Sequence, residues 1–176
     1  MANKTYGMFT RGLRDIKITN AAGTLQEDLN AAVTFTFRPN VSTAVLRGDD
    51  VEKLRYTVVT GGEGALSAGG YSSAALAIML GVSLTVAGSS PNETTTLDIN
   101  EGLVLPTFKV YGIAYDKNGG AKQVLLENCT LTELPEVSFG DEEFEVSEIS
   151  IGVGANGSGR IARYIQQETA ATLPTS

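Results

Sequence analysis

Period-two alternation of apolar and polar residues, repeated through most of the chain, commits this sequence to a fold built from sheets. Residues 31–38 set Val33, Phe35 and Phe37 against Thr34, Thr36 and Arg38. Only a strand puts successive side chains on opposite faces. Residues 13–19 repeat the pattern, with Leu13, Asp15 and Lys17 opposed to Arg14, Ile16 and Ile18. Residues 51–60 do so again, with Leu54, Tyr56 and Val58 against Lys53, Arg55 and Thr57. Further strand-forming stretches are expected at 42–47, 82–87, 94–99, 103–116, 121–139 and 142–153. Pro39-Asn40 reads as a turn, Lys117-Asn118-Gly119-Gly120 as a hairpin connection, and Gly61-Gly62-Glu63-Gly64 as the start of a glycine-rich link. Pro135 inside the 121–139 stretch suits a sheet edge or a bulge.

One segment breaks the rule. Residues 72–80 are small and apolar at helical spacing, preceded by serines that cap free amides and followed by Gly81. They carry no charge, so this helix must be packed on most sides. The expected fold is therefore a mostly-β sandwich or barrel with one flanking α-helix at 72–80 and extended loop and terminal arms. The 176 residues are expected to form a single domain: an N-terminal arm at 1–12, a core at 13–153, and a hinge and C-terminal arm at 154–176.

Composition removes most catalytic chemistry. The chain has no histidine and a single cysteine, Cys129. The usual general base near neutral pH, the Ser-His-Asp and Cys-His systems, an internal disulfide and a Cys/His zinc site are all out of reach. Net charge is −7, the wrong sign for gripping phosphates, although an acidic wall suits a protein that DNA slides past. Gly152-Val153-Gly154-Ala155-Asn156-Gly157 matches a dinucleotide-binding spacing, but too little chain follows to close the βαβ unit it needs. The carboxylates Asp141, Glu142, Glu143, Glu145 and Glu148 lack the spacing and turn glycine of a calcium loop. They read as a solvated acidic face. Neither a cofactor nor a metal is expected, and no catalytic residue is assigned. The longest apolar run, 74–82, is too short to span a bilayer, and residues 1–6 lack a signal-type apolar stretch, so the chain is expected in the cytosol of the cell that makes it. Residues 160–168 (Arg160 to Glu168) mix positive and apolar side chains, as an arm that docks on an acidic neighbour would.

This order of arm, strands, glycine-rich loop, one small-residue helix and acidic strands resembles the major tail tube proteins of long-tailed bacteriophages. The closing segments, 142–151 (Glu-Glu-Phe-Glu-Val-Ser-Glu-Ile-Ser-Ile) and 160–165 (Arg-Ile-Ala-Arg-Tyr-Ile), share that resemblance, which covers roughly residues 12–173. It implies hexameric rings stacked into a hollow tube that holds DNA and a tape measure protein, capped by tail terminator and tip proteins. It also implies a place in the virion tail after assembly in the host cytoplasm. On that reading Glu101, Glu127, Glu133, Glu142, Glu143, Glu145 and Glu148 are candidates to face an acidic lumen. Asp49, Asp50, Arg160, Arg163 and Tyr164 are candidates for contacts between subunits, as are the termini and the 41–50 region. Rival expectations are the inner tube of a contractile injection or secretion apparatus, and a capsid or tail accessory β-domain that binds a host-surface ligand. A carboxylate-dependent hydrolase is a further rival.

Overall fold

Alternating segments have to bury one face, and here they do so by pairing into one large antiparallel sheet. The computed structural model describes residues 13, 15–29, 32–48, 51–116, 119–135, 147–168 and 173. Among them stand β1 (Asp15–Asn20), β2 (Gln26–Asp28), β3 (Ala32–Gly48), β4 (Val51–Ala68), β5 (Thr85–Ala87), β6 (Thr94–Thr96), β7 (Phe108–Tyr115), β8 (Ala121–Leu131), β9 (Ser147–Val153), β10 (Ala162–Gln167) and one helix, α1 (Ser73–Leu80). The large sheet runs β2-β1-β7-β8-β9-β4-β3, with β10 added on β8, while β5 and β6 pair only with each other. The mostly-β fold with a single helix is as the sequence implies.

The sheet rolls over onto itself. Phe35 lies on β3, four strands from β7, yet its ring occupies the space above Gly112 of β7, 2.9 Å from where a Cβ would sit. The rolled interior holds Phe108, Ile16, Ile18, Leu66, Leu126, Ile149 and Ile151, all at 0–1% exposure. Full burial of each such side chain stabilises the fold by about 1.5–3 kcal/mol. Helix α1 closes the open side, packing on β1, β2 and β8. Ser72 caps it by accepting the Ala75 amide at 3.1 Å, and Gly81 ends it at φ 70° with its amide donating to the Ala77 carbonyl at 2.8 Å. A Cβ at Gly81 would also fall 2.7 Å from Pro106, so both backbone angle and space demand glycine there.

Three sequence expectations are corrected. Pro39-Asn40 makes no turn: β3 runs through it, because it is an end strand with a ladder on one side only and tolerates a residue without an amide hydrogen. The register is shifted between Asn40 and Val41. Residues 61–64 are not a loop but the middle of β4; the Phe37 ring lies where a Gly62 side chain would be, 2.4 Å from the ideal Cβ. Finally, residues 162–167 are not a free arm. They form β10, zipped along Ala121–Leu126 of β8 from Gln167↔Ala121 to Ala162↔Leu126. Leu173 is buried too, in a small apolar cluster with Tyr111, Ile113, Ala121 and Leu125. The expected N-terminal arm at 1–12 lies outside the described residues.

Strand β8 is the hub. One edge carries β7; the other is shared, with β10 on its first half and β9 on Cys129–Leu131. Cys129, at 0% exposure, contributes to the core as a small apolar group, and burial pushes its thiol up to about 12.

Candidate assembly surfaces

The register of β3 and β4 creates the feature that dominates the surface. From Gly62 to Ala68, β4 is flanked by β9 on its other side. From Val41 to Gly48 and from Val51 to Val59, the two strands pair only with each other among the described residues. The result is a two-stranded ribbon about 25 Å long, from about 3.3 Å of rise per residue, standing clear of the core. Cross-strand partners share a face. One face therefore carries Leu46 with Leu54, Ala44 with Tyr56, and Ser42 with Val58; the other carries Val45 with Arg55, Thr43 with Thr57, and Val41 with Val59. Leu46, Leu54 and Tyr56 are 63%, 60% and 64% exposed. An isolated hairpin is marginal in water, and apolar side chains on it gain nothing until something covers them. Its second face is held by the Thr43–Thr57 hydroxyl bond at 3.0 Å and by Arg55, which donates to both Glu52 oxygens at 2.8 and 3.0 Å.

The outer face of the rolled sheet is different in kind. Along β3, β4, β9 and the end of β8 it presents Thr36, Ala65, Ser150 and Thr132, edged by Arg38, Glu63 and Glu133 around a shallow hollow of about 430 Å³. Alternation with the buried Ile149 and Ile151 puts Glu148 on this face as well. Burial, joined by the Glu148 charge, pushes the Tyr71 phenol up to about 12, while that hydroxyl donates to the Leu66 carbonyl at 3.0 Å. Of the acidic residues singled out for a lumen, Glu133 and Glu148 thus share this face, and Glu63 joins them on it. Glu101 is elsewhere, in the exposed loop between β6 and β7. Glu142, Glu143 and Glu145 lie outside the described residues, as do Asp49 and Asp50.

Glu127 is not a free carboxylate, and Arg160 is not a charge held out to a neighbour. Arg160 Nη2 and Nε donate to Glu127 at 2.6 and 3.0 Å, and the Asn156 amide donates to the same carboxylate. Asn156 Oδ1 in turn accepts the amides of Ser158 and Arg160, each at 2.9 Å, and Asn128 donates to the Ala155 carbonyl at 3.0 Å. This clasp fixes the connection between β9 and β10, at the register shift where β8 passes from one partner to the other. The pairing was hidden in the sequence because its partners are 33 residues apart. Of the remaining residues proposed for subunit contact, Arg163 and Tyr164 are exposed on β10, Tyr164 at 56%.

The guanidinium of Arg160 holds the Glu127 carboxyl below the ordinary carboxylate range, against an opposing effect of burial. A depressed folded-state value stabilises the fold above the unfolded carboxyl's titration and loses that contribution as pH falls through the folded value. Arg160→Ala is expected to cost about 1 kcal/mol at neutral pH, since the pair is only partly buried. The gap from the parent protein should close below about pH 4. Urea midpoints at neutral and acid pH measure this; a gap independent of pH would place the contribution outside the ion pair.

Among the described residues, no group of three or more His, Cys, Asp or Glu is placed to hold a metal ion, and no helix is long and apolar enough to cross a membrane. The chain matches no known protein-family model and no curated protein.

Proposed function

We propose that this chain is a structural subunit that joins copies of itself into a hollow tube of the kind built by the major tail tube proteins of long-tailed bacteriophages. The observation that carries this reading is the free-standing β3–β4 ribbon, with Leu46, Leu54 and Tyr56 in water beside a buried core. A chain that folds its own core and still exposes an apolar ribbon has a surface suited to a protein partner. The small polar face bearing Glu63, Glu133 and Glu148 supports an inward wall that repels phosphates and lets DNA pass. The edges of β2, β3 and β10 that no described strand covers supply further places for lateral contact. On this reading the partners are other copies, a tape measure protein inside, terminator and tip proteins at the ends, and the location is the virion tail.

The purified protein should form rings or tubes as concentration rises, seen by light scattering and negative-stain electron microscopy. A compact monomer at every concentration and salt would overturn the proposal.

A further inference from the structure

The connection between β9 and β10 carries a labile pair of residues. Asn156 is followed by Gly157, whose amide nitrogen has no side chain beside it to hinder attack on the Asn156 amide carbon. Gly157 is exposed, nothing lies within 4 Å of the place a Cβ would take, and among the described residues its amide donates to no backbone carbonyl. The Asn156 carbonyl is polarised for such an attack. Its Oδ1 accepts the Ser158 and Arg160 amides, each at 2.9 Å, and the same two donors would hold an oxyanion formed there. We infer that Asn156 is a site of spontaneous deamidation, and that the carboxylate it becomes opens the clasp tying the start of β10 to β8.

In this reaction the Gly157 nitrogen loses its proton to hydroxide and bonds to Asn156 Cγ, while Oδ1 takes up the negative charge. The Cγ–Nδ2 bond then breaks, and the nitrogen leaves as ammonia with a proton from water, which restores the hydroxide. A second water opens the cyclic imide at one carbonyl or the other, leaving aspartate or isoaspartate at 156. The position makes the product matter. Asn156 Nδ2 donates to the Glu127 carboxylate that Arg160 also binds. After conversion a carboxylate oxygen faces that carboxylate, and two anions compete for one guanidinium. The isoaspartate form also lengthens the backbone inside a turn that Asn156 closes, its amide donating to the Arg160 carbonyl and its carbonyl accepting the Gly159 amide, each at 2.9 Å. Asn20 is a natural control. Its Oδ1 also accepts two amides, from Thr24 and Leu25, but Ala21 follows it and its Nδ2 donates to the Thr24 hydroxyl.

The test follows the folded protein at mildly alkaline and mildly acid pH, with peptides spanning residues 156 and 20 read by mass spectrometry. Asn156 is expected to convert, faster at the alkaline pH, while Asn20 keeps its amide. Gly157→Ala should remove the difference between the two sites; the glycine has no positive φ and room for a Cβ, so the fold accepts the change. Asn156→Asp, made directly, should speed hydrogen exchange of the β10 amides and lower the urea midpoint, as Arg160→Ala does, with circular dichroism unchanged. Aged parent protein, separated from fresh protein by its added charge, gives the same reading without any substitution. Conversion at 156 only after unfolding in urea would mean that the clasp protects the residue, and would overturn the assignment. So would conversion no faster than at Asn20. A β10 that exchanges equally in aged and fresh protein would remove the opening of the clasp.

Discussion

Replacing Leu46, Leu54 and Tyr56 together by Asp is expected to yield a subunit that folds but, on the assembly proposal, does not polymerise. All three stand mostly in water on the free ribbon, and surface substitutions of this kind usually change monomer stability by no more than about 0.5 kcal/mol each. In an interface the same positions lose apolar contact and bury a charge with no partner. Truncation at interface centres costs about 2 kcal/mol or more per residue. Each 1.4 kcal/mol is tenfold in affinity, so even one substitution should raise the critical concentration by about twentyfold to thirtyfold, and three should put it beyond reach. Sedimentation of polymer across a concentration series measures this, with circular dichroism as the check on folding. An unchanged critical concentration would take the ribbon out of assembly altogether.

The second large effect is on the fold itself. Phe108→Ala should destabilise the subunit by about 3–5 kcal/mol, a large part of the roughly 5–15 kcal/mol that holds a domain of this size together. Phe108 is fully buried at the start of β7, opposite Cys129 across the register shift with β8. The shift fixes the backbone on both sides, so the neighbours have little freedom to fill the space left behind. The urea midpoint should fall sharply with an unchanged slope. The Cys129 thiol, shut away in the parent, should become accessible to a thiol reagent at lower urea. A midpoint within experimental error of the parent would mean that the core repacks around the loss.

How far the sequence anticipates this structure depends on how local each signal is. The faces of β3 are readable from Phe35 and Phe37, because period-two alternation is a property of neighbours along the chain. The helix is readable because Ser72 and Gly81 are local caps and because a chargeless segment has to be covered. What stays hidden is set by distant partners. Residues 61–64 look like a loop until the Phe37 ring is found lying over Gly62. Residues 160–168 look like an arm because neither the β10–β8 ladder nor the Arg160–Glu127 pair leaves a trace nearby. The ribbon was half visible. Its alternation at 51–60 is plain, but alternation normally signals one buried face, and nothing in those residues reveals that both faces are left in water.

Pro39, which carries no amide hydrogen, divides the outer margin of β3 into two stretches, one along the body and one along the ribbon. A foreign strand zipping along this edge would meet Pro39 with one donor missing and lose a ladder hydrogen bond there. Runaway fibril growth along that margin is interrupted at its midpoint. An exposed apolar ribbon of this kind thus offers a foreign strand a poorer template for aggregation than an unbroken edge would.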